Sequence, residues 1–431
     1  MPSATPRLFQ NGRIASADSK ELLAADVLVD ETGTIVAVAP GLSAPAGAEV
    51  IDCGGSVLVP GMFDVHVHAR EPGQEHKETL ATCSAAALRG GVTGVVLMPD
   101  TSPPVDTGNL VKSARDLIAE LSAIPMFQSG CLTKGREGKE MAGFSGMASR
   151  GVPMLTDADR AVPCPDLLRR CMEYACDFDL LVTSHCDTPA LTKAGAINEG
   201  RVSYRFGLPG IPAISQEIAI DRDIRVAQHT GAKLHLQQIS TARGLKSVQC
   251  AKEAGTSVTC EVSPHHLVLS EQDIRDYNTH FKFNPPLRPA ADVEALVAGF
   301  IDGSIDVLAC DHAPHTEFEK SSEFGSAPFG AAGLETTVPL MFDRFISKGV
   351  FGWDLLIERY SAAPRRLVGL APVAIIEGAK AEFFVFDPEG ETPVTRETMK
   401  TKSPVSPFLG ETLAGNVRGT VLGTAWYPQG K

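Results

Sequence analysis

The chain has 431 residues, 43% hydrophobic and 21% charged, a balance that excludes disorder, collagen and coiled coil and leaves a globular protein of two domains, one of them large. Its 39 Lys and Arg against 52 Asp and Glu give a formal charge of −13 with no basic run, so no nucleic-acid partner is expected, and an anionic substrate would need local cations from Arg or a metal. The ten cysteines form no C-x-x-C and several sit in apolar runs, which reads as reduced thiols in the cytoplasm; with neither a leader pattern at Met1 to Ser19 nor an apolar run near ~18 residues, no membrane span is expected.

The first sixty residues read as short strands and turns: "ADVLVDETGTIVAVA" holds two β-rich runs across a Glu-Thr-Gly turn, and "AEVIDCGGSVLVPG" follows. From there the texture changes. Helix-like stretches such as "GNLVKSARDLIAELSA" and "CPDLLRRCMEYAC" alternate with apolar runs, the pattern of β-α units around a parallel sheet. Eight buried strands are expected: Met62 to His66, Gly94 to Met98, Pro125 to Ser129, Val152 to Thr156, Leu180 to Ser184, Lys233 to Ile239, Ser257 to Val262 and Asp306 to Cys310. The last stretch, with "AEFFVFDPEG" and "GTVLGTAWYP", returns to β texture. The fold expected is α/β: a (β/α)8 barrel over residues 60–370, and a small β-sandwich domain formed jointly by residues 1–59 and 371–431.

In such a barrel the chemistry sits where strands end. Strand one runs into His66 and His68, strand two into Asp100, strand four into Asp157, strand five into His185, strand six into Gln237 and Gln238, and strand eight into Asp311. His66 and His68, two apart on an extended backbone, point to one face and can bind one metal. An isolated H-x-H is more often a pair of satisfied histidines, but acids and a third imidazole at matching strand ends favour a divalent metal site. His265 and His266 just past strand seven are read as packing residues, His76, His229 and His280 as solvent-facing, and Cys186 and Cys310 as buried thiols.

The strings "VPGMFDVHVHAREPGQEHKETL", "GLPGIPA", "VSPHHLVLS", "FKFNPPLR", "LACDHAPHTEFEK" and "APFGAAGLET" resemble, in order and spacing, the long-chain dihydroorotases of the amidohydrolase superfamily. The resemblance implies that His66, His68 and Asp311 hold a first zinc ion, that Asp157 bridges two metals and that His185 ligates the second. It implies that Asp311 also exchanges the proton of the scissile amide, and that Arg70, Asp100, Asn284 and His315, with the Pro328, Phe329 and Gly330 loop, hold the substrate. The small residues from Gly325 to Gly333 are expected to move over it.

Two positions depart from that family's pattern. Gln238 stands where a histidine ligand of the second metal belongs, so one ion is expected to bind firmly and the second site to be weak or empty; His235, three residues back along a strand, is expected to face away. Asp100 stands where the family usually has Asn, and an ionised carboxylate there would repel a substrate carboxylate by ~1 kcal/mol at 4 Å in water-like surroundings. Three functions are therefore weighed: a zinc-dependent dihydroorotase of pyrimidine synthesis, a weak or inactive homologue that scaffolds aspartate transcarbamoylase, and another cyclic-amide hydrolase of hydantoinase or allantoinase type. The absence of Lys at the end of strand four counts against the last, and a homo-oligomer is compatible with any of them.

Overall fold

The computed structural model describes residues 5–429. All eight expected barrel strands are present, at Met62–Val67, Val92–Leu97, Met126–Gln128, Met154–Leu155, Leu181–His185, Leu234–Gln237, Val258–Val262 and Val307–Leu308. They are almost wholly buried, which is why they read in the sequence as apolar runs rather than as alternation. The first three pair in parallel, as do the last five. Parallel bridges from Gly130 to Leu155 and from Val67 to His312 join the two sets, so the barrel closes on itself.

The helices that follow the strands start on defined caps. Thr79, Thr107 and Thr241 each offer a hydroxyl oxygen to a backbone N–H in the first turn of the helices Leu80–Arg89, Gly108–Leu121 and Ala242–Glu253. Their inner faces, with Cys83, Ala86 and Ala87 on the first and Leu245, Val248 and Ala251 on the third, pack on the outside of the barrel. These caps fix where each β-to-α loop ends and so hold the mouth of the barrel in place.

The two ends of the chain share one sheet, as expected, but hydrogen bonding runs through a single eight-stranded sheet and not through two stacked ones. Its centre is the antiparallel pairing of Val57–Pro60 with Glu382–Pro393, flanked by Arg7–Ser16 on one side and Thr412–Leu422 on the other. Register shifts in the Arg7–Ser16 and Glu382–Pro393 pairings are bulges, which bend a strand and let one sheet wrap its own core of Phe9, Val27, Ile35, Leu58, Phe383 and Val421. All ten cysteines are free. No helix among the described residues is long and apolar enough to cross a membrane.

Candidate metal centre and substrate pocket

His66 and His68 lie at the C-terminal end of the first strand, both buried, and each ring is fixed through its Nδ1 by a different carboxylate. His66 Nδ1 is 2.5 Å from Glu261 Oε1, and His68 Nδ1 is 2.8 Å from Asp100 Oδ2. That leaves both Nε2 atoms facing Asp311, each 3.8 Å from its Oδ1. Ligand atoms of the three residues lie within 4.8 Å of one another, and imidazoles held from behind by carboxylates are the donor set a divalent metal requires. The residues therefore fit a metal, and Glu261 also makes His66 a more basic ligand: burial opposes charge on the ring, but Glu261 overcomes it and lifts its pKa to about 9.

Asp311 follows the eighth strand at a φ of 53°, a left-handed turn shared by Arg70 and Gln238 at two other strand ends. Such strained turns aim side chains inward at a point where a regular strand would carry them past. Burial pushes the Asp311 carboxyl up to about 7, with His66 and Arg70 opposing and Glu261 reinforcing, so it can both take and give a proton near neutrality.

The residues expected at a second, weak metal site, Asp157 and His185, are engaged by other protein groups. The Asp157 carboxylate turns from the histidines and accepts hydrogen bonds from the backbone N–H groups of Leu132 and Thr133 at 2.9 and 3.0 Å and from the Thr133 hydroxyl at 2.5 Å. It anchors the loop after strand three, with both lone pairs of Oδ1 and one of Oδ2 engaged. His185 meets the Asn284 amide at 3.2 Å through Nε2, has no partner for its buried Nδ1, and has Gln238 beside its ring. His235 corrects another expectation. The strand ends at Gln237, and Gln238 leaves it at a φ of 50°, so alternation does not extend to position 238. His235 faces the barrel interior, where its Nε2 is 3.0 Å from Glu261 Oε2.

A cavity of about 440 Å³ opens over the metal group. His66, His68, Asp311 and Gln238 form its floor, and Arg70, Asn284, His315 and Pro328 to Gly330 line it as expected. Asp100, Asp157 and His185 are not on its wall. Asp100 sits behind Arg70, with Oδ2 2.7 Å from Nη1; burial would raise its pKa, but His68 and Arg70 hold it well below the usual carboxylate range, so it is ionised and serves both the Arg70 guanidinium and the His68 ring, whose own pKa burial lowers. The fork of Arg70 is held further by the Pro314 carbonyl and by His315 Nε2 at 3.2 Å. Burial and the cations Arg70, Lys77 and Lys320 push His315 down to about 2, leaving it neutral.

Several residues of the site were not singled out from the sequence. Glu261 carried a signal, a lone acid inside the apolar strand "VTCEV". Arg160 and Lys193 on the cavity wall come from loop positions with no pattern to mark them. The packing histidines are as read: His265 stacks on Phe283 at 4.0 Å between ring centres, and His266 lies between Ser263 and the Pro285 carbonyl. His280, expected in solvent, is half-buried.

A closed parallel barrel with two histidines and an aspartate gathered at its strand ends, carrying a β domain built from both ends of the chain, defines a metal-dependent cyclic amidohydrolase. Residues 55–244 match the family described as dihydro-orotase-like, and the chain is 41% identical over 409 residues to the dihydroorotase of Carboxydothermus hydrogenoformans, covering 95% of this chain and 94% of that one. It is 37% identical over 424 residues to the dihydroorotase of Bacillus caldolyticus, covering 98% and 99%. The chain belongs to the dihydroorotase family. Among solved structures it is similar in fold to the L-hydantoinase of Arthrobacter aurescens, at a TM-score of 0.86 and 23% identity over 99% of this chain and 96% of that one. The dihydropyrimidinase of Brevibacillus agri follows at 0.83 and 21%, over 98% and 95%.

Proposed function

We propose that the protein is a zinc-dependent dihydroorotase with one firmly held metal per chain, which interconverts N-carbamoyl-L-aspartate and L-dihydroorotate in pyrimidine synthesis. The observation that carries this reading is the placement of the His66, His68 and Asp311 group on the floor of the cavity that Arg70 also lines, in a chain of the dihydroorotase family. A divalent metal at these three residues supplies Lewis-acid polarisation of an amide carbonyl and lowers the pKa of water. What supports single occupancy is the engagement of Asp157 by Leu132 and Thr133 and the presence of Gln238 at the sixth strand end.

The protein's own groups do the rest. Arg70 presents a planar guanidinium to the substrate carboxylate, supplying the local cation that the net charge of −13 demands. Neutral His315 and the Asn284 amide add polar contacts on either side, and Gly330 bounds the ring. In hydrolysis a carbon–oxygen bond forms at the ring carbonyl carbon as its bond to the amide nitrogen breaks. Asp311 takes the proton that water loses and hands it to the departing nitrogen, and ring closure runs the same transfers backwards.

The test is hydrolysis of L-dihydroorotate followed in the ultraviolet, with and without added zinc, with Asp311→Ala as control. Zinc-dependent turnover that vanishes in the control is expected. A zinc-loaded protein with no turnover overturns the reading, and faster turnover of uncharged hydantoins would replace the substrate.

A further inference from the structure

The segment from Phe324 to Gly330, whose last three residues line the cavity, was expected to move, yet two buried lysines hold it down. Lys282 Nζ donates to the carbonyl oxygens of Gly325 and Ala327 at 2.9 and 2.6 Å. Lys320 Nζ donates to those of Pro328 and Thr279 at 2.9 and 3.1 Å. The Lys282 backbone carbonyl also accepts from Gly330 N–H at 3.0 Å, and its ammonium lies 4.6 Å from the centre of the Phe329 ring. Every acceptor of these two side chains among the described residues is a backbone carbonyl.

A buried lysine without a carboxylate is a costly choice for a purely structural post, since methionine fills similar space with no desolvation cost. What lysine adds is several hydrogens on one atom, enough to hold two carbonyls of a segment that has no regular structure to satisfy them. Two hydrogens remain on a neutral amine. Burial lowers both groups, Lys282 to about 8 and Lys320 to about 7 with Lys282 adding to the effect, and the ties hold in either protonation state.

We propose that Lys282 and Lys320 are positioning residues that fix Pro328 to Gly330 as a preformed wall of the substrate cavity, so that this segment does not close over the substrate as a moving flap. The proposal rests on the reading above that the wall faces the substrate. A wall ordered before binding spares the substrate the entropy of ordering it, so its loss should weaken binding more than it slows chemistry.

The experiment uses the full, zinc-loaded chain with Lys282→Met and Lys320→Met. Hydrogen exchange read on peptides covering residues 321–331 is expected to speed up ~10-fold or more in either variant, with exchange in the barrel strands and zinc content unchanged. KM for dihydroorotate should rise ~10-fold while kcat changes less than ~3-fold. Unchanged exchange in 321–331, loosening spread over the whole barrel, or a fall in kcat at constant KM each overturns the proposal. Should a Met variant not fold, Lys320→Gln, which keeps two hydrogens on a shorter arm, is measured by the same criteria. Absence of turnover in the wild type would sink the substrate reading alone, because exchange still decides whether the lysines hold the segment.

Discussion

Glu261 joins His66 to His235: one carboxylate oxygen lies 2.5 Å from Nδ1 of the first ring and the other 3.0 Å from Nε2 of the second, and all three residues are buried. His235 is tied in turn to the Thr259 hydroxyl at 2.8 Å, so a chain of four polar groups runs through the barrel floor to the metal centre. Removing the charge at its middle should loosen His66. Glu261→Gln is expected to weaken zinc binding by ~10–100-fold, read by competition with a chromophoric chelator. Affinity equal to the wild type would show that His66 is oriented by packing alone.

Asp100 holds both the His68 ring and the Arg70 guanidinium with a single oxygen. Asp100→Asn removes a negative charge that lies behind Arg70, further from the substrate carboxylate than about 4 Å, so KM for dihydroorotate should fall by less than about fivefold. The weaker amide acceptor should lower zinc affinity in the same variant. A rise in KM would mean that Asp100 is needed to keep Arg70 in place.

The engagement of Asp157 bears on attempts to restore a second metal. Gln238→His alone should leave zinc near one per chain, measured by elemental analysis after dialysis, because the bridging carboxylate remains tied to Leu132 and Thr133. Two zinc ions per chain in this variant would show that Asp157 swings free when a second ion arrives.

Stability should depend on pH through Glu335. Burial raises its carboxyl from 4.5 to about 7 against the backbone N–H groups of Thr401 and Lys400 and the Arg89 guanidinium, with Glu78 adding to the rise. Because the folded pKa is the higher one, the fold binds more protons than the unfolded chain between these values. The group's contribution is therefore complete below about 4.5 and lost as pH rises through about 7. Glu335→Gln should remove a part of the pH 5 to pH 8 stability difference on the order of 2 kcal/mol, measured by urea unfolding at both pH values. An unaltered difference would place the titration elsewhere.

The barrel was legible because its strands are buried on both faces and so appear as unbroken apolar runs, and His66 and His68 were legible because spacing of two survives any tertiary arrangement. Asp157 was placed at the end of strand four, but its hydrogen bonds were not legible, since they come from a loop contributed by residues 131–133. Position 238 shows the same limit. Counting faces along a strand works only while the strand lasts, and the backbone turns left-handed at Gln238. The loop read as movable from its small residues shows a related limit: Gly and Ala give no sign of the hydrogen bonds that Lys282 and Lys320 bring to it.

The sheet that unites both ends of the chain has a consequence for how the molecule is made. Val57–Pro60 leads straight into the first barrel strand, yet its outer partner, Glu382–Pro393, leaves the ribosome only after the whole barrel has been synthesised. Until then the strand's free edge and the apolar side chains Phe9, Val27 and Leu58 stand without their final cover. The long delay between emergence and pairing leaves this terminal sheet open to wrong association while the barrel is being made.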